Sequence, residues 1–516
     1  MKLKHLFKTI LLFISIFFFQ QTAYSQDYKD MMKNNTINFY DVVDEAESYF
    51  KTIDIYAKGS GYKQFMRWAN SNEYKYYPSG DRLSIDPEFA TKAYQKNSAN
   101  KSTPLNRSNM FGGWREIGPF AIDNITGHYA AGMGRVEDFY VDPNNTQNIY
   151  ICSRSGGLWK TENEGSTWSI TSTEILLASG VNSIAVDPLN FNHVYVALQN
   201  ANNNYSFGLY ESLDGGTSFN ETGFNPTSLG LGGLGSNFRI YTITHHPTIT
   251  NLLLVGTSNG LYKTTNNFST WTNVIDTGEI VQVEFHPTNA SIIYAYNNLQ
   301  KNLVYVSNNT GNTFSTTTIS GNSNESATIA VTANASNDLY FASSSGIFKS
   351  TNSGSSFSFI SNSFNSISTI GTDAFAVNST NNQNLLIGGV DGANSTDGGV
   401  NFTKRTNWYL ADPIHGTGTL EQNYFNSTAY VHADLRTAKS INGDFYVATD
   451  GCLAKSVDGG VTWQNLMQTN APAIRENYKL GISQSNNNVA ICGSQDNGTT
   501  IKNSTEWVEA YGADGM

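Results

Sequence analysis

Hydrophobic and polar positions alternate in short bursts over most of this chain. Runs such as "NIYICSRSGGLWKT" (Asn148–Thr161), "LLLVGTSNGLYKT" (Leu252–Thr264) and "LYFASSSGIFKS" (Leu339–Ser350) set β-branched, aromatic and leucine residues on both sides of a small polar turn. Each arm is too short for a helix, and the pair reads as two strands joined by a glycine-bearing turn. Upstream of many units stands "VDP" or "HP", as in "FYVDPNN", "IAVDPLN", "ITHHPTI" and "VEFHPTN", which closes an earlier strand. The pattern therefore predicts about four short strands per unit. An earlier stretch keeps a different period. "NFYDVVDEAESYFKTI" (Asn38–Ile53) spaces Phe39, Val42, Val43, Ala46, Tyr49 and Phe50 as one helical face, with acids opposite, and "GYKQFMRWANSNEY" continues in that style. "NSANKSTPLNRSN" (Asn97–Asn109) follows as a polar, proline-bearing linker. This N-terminal segment reads as helices that pack beside the main domain and carry no function of their own.

An eight-residue box punctuates the strand-rich part. It reads "TENEGSTW" from Thr161, "SLDGGTSF" from Ser212, "TTNNFSTW" from Thr264, "SNNTGNTF" from Ser307, "STNSGSSF" from Ser350, "STDGGVNF" from Ser395 and "SVDGGVTW" from Ser456. The starts of these seven copies lie 51, 52, 43, 43, 45 and 61 residues apart. One box per four strands is the signature of a β-propeller, whose twisted antiparallel blades bury both faces against their neighbours. The third position, Asn163, Asp214, Asn266, Asn309, Asn352, Asp397 or Asp458, supplies an acceptor for turn amides. Glycine at the fifth permits positive φ. Phe268 replaces that glycine in the third copy, so its turn is expected to adapt. The closing Trp or Phe packs between blades. The box is thus a folding device, remote from any active site.

Charged residues make up only 14 % of the 516, and the formal net charge is −11. With no Lys/Arg cluster interleaved with aromatics, nucleic acid is excluded as a partner. Lys2, Lys4 and Lys8 precede the apolar run "TILLFISIFFF" (Thr9–Phe19), and "AYS" (Ala23–Ser25) offers small residues before Gln26. Residues 1–25 read as a cleaved secretory signal, so the expectation is a secreted or cell-surface protein with no membrane span after cleavage. Cys152, Cys452 and Cys492 are too few for a disulfide framework; buried thiols are expected, with a single bridge left open. The domain reading is a signal at 1–25, a helical segment and linker at 26–110, and an all-β propeller of seven or more four-stranded blades at 111–516.

The S-x-D-x-G-x-T-W boxes resemble the Asp-box (BNR) repeats of sialidases, sortilin-type receptors and the xyloglucanase family of glycoside hydrolases. "WREIGPF", "GRVEDFYVDPNN", "SGGLWKT", "VHADLR", "ATDGCLAKSVDGGVTW" and "GSQDNGT" together are similar to large exported propellers of Bacteroidetes, cargo of type IX secretion. That resemblance implies a sortilin-like or glycosyl-hydrolase-like propeller. It covers about residues 114–516, and no sorting domain is visible. The last stretch, "NVAICGSQDNGTTIKNSTEWVEAYGADGM", opens an eighth unit and stops. It reads as the truncated last unit of an N-terminal fragment, with one ring plus an added strand pair as the alternative.

Xyloglucanases carry an acid before the Gly-Gly of an early blade as catalytic base, and its partner acid lies in a second propeller. Here the matching "CSRSGGLWKT" has Ser153, Arg154 and Ser155 and no carboxylate. The sialidase arginine triad is not found. Other carboxylates do stand at strand ends: Asp391 of "VDG", Asp450 of "TDG" and Asp496 of "QDNG". Acids gathered at one mouth could serve glycoside hydrolysis or hold a cation, while Asp before Gly is also ordinary turn chemistry. In "AYVHADLRTAK" (Ala429–Lys439), His432 and Asp434 would share one face of a strand; with His415 of "ADPIHGTG" they form a further candidate for acid–base or metal chemistry. No cofactor motif is present, and neither a cofactor nor a metal is expected. The expected function is binding or adhesion to a polysaccharide or extracellular protein through loops at one propeller face. The alternative is a glycoside hydrolase related to xyloglucanases, using a pair among Asp391, Asp434, Asp450 and Asp496.

Overall fold

In the computed structural model the described residues are 27–84, 92–93, 96, 116–125, 132–201 and 203–515. The signal assigned to residues 1–25 and the linker at Asn97–Asn109 lie outside them. The chain divides into two compact units, Met1–Ser102 and Thr103–Met516.

In the first unit the helical period forms helices at Asp27–Lys33, Phe39–Phe50 and Tyr62–Tyr76. Phe39, Val42, Ala46 and Phe50 are buried, as the spacing predicts, and Tyr28 and Phe65 complete the core. The Asn38 side chain caps the second helix by accepting from the Tyr40 amide at 2.9 Å. Arg82 is buried, donating to the carbonyls of Met31 and Asn34 at 2.9 Å and lying over the Trp68 ring.

Among the described residues the second unit contains eight sheets, each antiparallel over four sequential strands. The first strands of the first seven are Val136–Val141, Gly180–Asp187, Ile240–His245, Ile280–Phe285, Ala327–Val331, Ala374–Val377 and Leu435–Ile441. Second strands such as Ile149–Ser153, Leu253–Thr257 and Leu339–Ser343 are buried at every position, because neighbouring sheets cover both of their faces. First strands meet their neighbours through side chains. Gln282 donates to the Ile329 carbonyl at 2.7 Å and accepts from its amide at 2.9 Å, and Asn182 donates to the Ile240 carbonyl.

The ring closes between the seventh blade and the first. Lys439 Nζ reaches Asp138 Oδ1 at 2.7 Å and the Phe139 carbonyl at 2.6 Å. Lys455 reaches Glu164 at 2.6 Å, and Phe139, Tyr446 and Phe445 share one buried cluster. Closure, left open by the sequence, is therefore met with seven blades.

The box has the same geometry in every blade. Its first-position hydroxyl is the buried centre. Ser456 Oγ accepts from the Gly460 amide at 2.9 Å and donates to Asp458 Oδ1 at 2.9 Å. Thr161, Ser212, Thr264, Ser307, Ser350 and Ser395 likewise accept from the fifth-position amide. The third-position oxygen accepts from the seventh-position amide at 2.9 Å in both Asp458 and Asn163. Fourth and fifth positions are both left-handed, as at Glu164 (φ 55°) and Gly165 (φ 83°). Phe268 does not make its turn adapt. It holds φ 60° in the same bend and buries its ring against Tyr195 and Phe224.

The eighth sheet has four strands, Asn477–Ile482, Val489–Ser494, Thr499–Asn503 and Glu506–Tyr511, with a tight turn at Ser504 in place of a box. A fifth strand, Asn124–Ile125, joins Glu506–Tyr511 in parallel. Trp507 pins this addition: its amide donates to Asp123 Oδ2 at 2.6 Å and its indole N–H to the Ile117 carbonyl at 3.0 Å. The segment leading into blade one thus belongs to the last sheet. The cysteines are buried and form no disulfide.

Candidate functional site

In a four-stranded blade the turns between second and third strands all lie on one face, and the boxes, between third and fourth, lie on the other. Asp391, Asp450 and Asp496 occupy the first set of turns in blade six, blade seven and the eighth sheet. The boxes are therefore at the far end from these carboxylates.

The structure brings Asp434, Asp450 and Asp496 together: one oxygen from each lies within 4.8 Å of the others. Asp450 sits in the turn after Asp444–Thr449, where Thr449 Oγ1 accepts from the amides of Gly451 (3.2 Å) and Cys452 (2.9 Å). Asp434 precedes the first strand of blade seven at φ 62°, anchored by its amide to the Val390 carbonyl. Asp496, at φ 52°, comes from the turn after Val489–Ser494. Two contacts fasten that turn to blade seven: Asn497 Nδ2 donates to the Asp450 carbonyl at 2.9 Å, and His432 Nε2 meets the Asp496 carbonyl at 3.0 Å. Met133 N, from the segment leading into blade one, donates to the Gly451 carbonyl at 2.7 Å. Beneath them the buried Arg475 donates to the carbonyls of Gly132 and Asn497.

The three acids are not equivalent. Asp450 is 1 % exposed and held bidentately by Arg436, with Arg135 at 3.6 Å. Burial pushes its carboxyl up, but the bonds and charge of Arg436, aided by Arg135, outweigh burial and keep it below the usual range. Asp496 is half-buried, and burial, then the charges of Asp514 and Asp450, push it up to about 7. Burial and the Asp450 charge also raise Asp434. One member is thus a fixed anion, while the two that reach solvent hold a proton more readily than an ordinary aspartate, Asp496 up to about 7. This arrangement suits sharing and moving a proton. It suits a cation poorly, because both oxygens of Asp450 are already spent on a guanidinium.

Other expectations separate. Asp391 is fully buried in blade six, paired with Lys404 at 2.8 Å and accepting from the Trp408 amide at 3.0 Å, and stays out of the cluster. His432 and Asp434 lie in a loop, not along a strand. Both nitrogens of His432 face backbone carbonyls, of Ala433 and Asp496, and burial lowers its pKa, so it braces the seam. His415 sits in a separate turn with Nδ1 against Ser427 Oγ at 2.7 Å. Arg436, Arg135 and Asp514 were missed by sequence reasoning. The available signal was the arginine two residues after Asp434 in "ADLR", a cation next to the candidate acids.

No family model matches this chain, and no curated protein does. Solved structures do. The GH74 xyloglucanase from Xanthomonas campestris is 15 % identical with a TM-score of 0.50, covering 72 % of this chain and 59 % of its own. A GH74 enzyme from Niastella koreensis is 17 % identical with a TM-score of 0.52, covering 74 % and 61 %. An ancestral GH74 enzyme is 19 % identical with a TM-score of 0.50, covering 74 % and 55 %. This chain is a β-propeller. It spans about three fifths of the length of these neighbours, and the likeness is one of fold.

Proposed function

We propose that this protein is an exported, Asp-box propeller that recognises a polysaccharide at the notch between blade seven and the eighth sheet. The observation that carries this reading is the convergence of Asp434 and Asp496, the two solvent-reaching carboxylates of the cluster, on the face away from the boxes. Paired carboxyl groups accept from sugar hydroxyls when ionised and donate to them when protonated, and Tyr511, 67 % exposed on the strand paired with Thr499, offers a ring for stacking on the same sheet as Asp496. Secretion follows from the N-terminal basic and apolar pattern, and the sortilin-like and Bacteroidetes type IX resemblance is consistent with it. An extracellular protein is the other partner this face could take.

The second reading is glycoside hydrolysis, favoured by one specific observation: Asp496 keeps a proton near neutrality beside a carboxylate, as a general acid must. The propeller neighbours, GH74 enzymes among them, make it worth testing. Purified residues 26–516 are to be assayed on xyloglucan, β-glucan and mannan by affinity gel and by reducing-sugar release. Retention without cleavage, weakened at least tenfold by Asp434→Ala with Asp496→Ala, supports the binding module. Sugar release abolished by Asp496→Asn supports the hydrolase. Neither retention nor release on any polymer refutes both.

A further inference from the structure

We propose that the contact between the turn Gln495–Gly498 and blade seven is a proton-operated latch, closed while the Asp434–Asp496 pair holds a proton and released when both carboxylates ionise. It does not depend on a polysaccharide ligand. The geometry rests on where the groups come from. Asp434 and Asp450 belong to blade seven and Asp496 to the eighth sheet, so the repulsion between Asp496 and the other two acts across a seam, beside that of Asp514 within its own sheet.

Every charged group facing that seam enters the balance. From blade seven come Asp434, Asp450, Arg436 and the ring of His432; from blade one, Arg135 and Glu137. The eighth sheet presents Asp496, Asp514 beyond its last strand, and Arg475 and Glu476 before its first, Arg475 donating to the Asn497 carbonyl and Glu476 beside Arg154 and Arg135. Asp373, leading into blade six, adds a further negative charge near Asp434. Arg436 is committed to Asp450, and Arg135 to Glu137 at 2.8 Å and Asp450. No ion pair to a cation is present at Asp434 or Asp496 among the described residues. A shared proton is then what lets two carboxyl groups lie this close in a half-buried site. Without it, the bonds holding the turn, Asn497 Nδ2 to the Asp450 carbonyl and His432 to the Asp496 carbonyl, must work against like charges.

The sign follows from linkage. Asp496 has its carboxyl raised to about 7 in the closed seam, against about 4 for a solvated aspartate, so closure is favoured below both values and weakens as pH rises through 7. Between pH 5.5 and 8.5 the closing equilibrium should fall, by at most about 30-fold, the ratio of the protonation factors at the two pH values, since the Asp514 charge on the same sheet stays beside Asp496 when the seam opens. Hydrogen exchange read by mass spectrometry on the full chain tests this, after correction for the intrinsic pH dependence of exchange. Peptides spanning 489–503 should lose protection at pH 8.5, by up to about 30-fold, while peptides spanning 293–307 in blade four should not change. Asp496→Asn, which mimics the protonated acid, should stay protected at both pH values. If that variant does not fold, Asp434→Asn, which removes the smallest of the charges acting on Asp496, should lessen the pH dependence in its place. Equal protection at both pH values in the wild type, a loss shared by blade four, or a pH dependence unchanged in both variants would each overturn the latch.

Discussion

The box makes a quantitative claim about which of its residues holds the blade together. Ser456 is 1 % exposed, and its Oγ is the hydrogen-bond partner of the buried Gly460 amide at 2.9 Å. Ser456→Ala removes that acceptor with no room for water, leaving a buried N–H unsatisfied at a cost of about 1–3 kcal/mol. The hydroxyl's own bond to Asp458 Oδ1 is lost as well, adding a fraction of about 1 kcal/mol. The expected total is about 2–3 kcal/mol. Asp458 makes more bonds, accepting from the amides of Val461 and Thr462 and from the Thr462 hydroxyl, yet it is exposed. Water replaces much of what Asp458→Ala removes, so that variant should cost about 1 kcal/mol. Ser456→Thr should be near neutral, since threonine fills this position at Thr161 and Thr264 with the same bonds. Urea unfolding followed by tryptophan fluorescence gives the three values, with Trp463, buried in the same box, as a local reporter. A larger loss for Asp458→Ala than for Ser456→Ala would refute the reasoning, because it would put the weight on the exposed acceptor.

Other consequences are equally direct. Arg436→Met should destabilise by about 3–5 kcal/mol by stranding Asp450 as a buried anion, and adding Asp450→Asn should restore much of the loss; a double-mutant cycle in urea reads this. His193 lies between Glu211 at 2.8 Å and Asp187 at 3.5 Å, and the Glu211 hydrogen bond raises its pKa against the opposing effect of burial. A raised histidine contributes stability that is fully present below its unfolded value of about 6.5 and is lost as pH rises through the folded value. Melting temperature should therefore decline across that window, and His193→Gln should flatten the profile. Phe268→Gly should cost about 1–2 kcal/mol in the same assay, since losing a buried ring worth about 2–3 kcal/mol outweighs the strain of about 1 kcal/mol relieved at φ 60°. Stabilisation by that change would contradict the packing seen around the ring.

Much of the fold was legible because it is local. Strand pairs, the box and the helical face at Phe39–Phe50 each depend on residues within about one unit of chain, and the period repeats them. The box hydroxyl was equally visible, as Ser or Thr begins all seven copies, yet the acidic third position drew the reading because charge stands out in a sequence and burial does not. Ring closure was not legible. Lys439 and Asp138 lie 301 positions apart, and nothing in either neighbourhood names the other. Phe268 misled for a related reason: a side chain at a glycine position looks like a conflict until Tyr195 and Phe224, from a neighbouring blade, are seen to receive it. The candidate acids were found by their place at strand ends, which fixes the face. Which of them meet depends on neighbouring elements: Asp391 finds Lys404 within its own blade, whereas Asp450 and Asp496 face each other across two.

The carboxylate cluster is in this sense a product of connectivity. Seven blades close on themselves through Lys439 and Lys455, so a further sheet of the same strand order has no gap to enter. It must attach outside, and the chain dictates where. The Asn124–Ile125 strand ties it to the segment leading into blade one, and Arg475 ties it to Gly132 on that same segment. Both anchors hold the sheet at the junction of blades seven and one, with its second turn against that of blade seven. Two sheets built on one pattern then bring the same turn position together, and each carries an aspartate there. An isolated blade would leave either acid as solvated turn chemistry. The junction buries them, holds one as an anion by pairing it with Arg436, and leaves the others to compete for a proton.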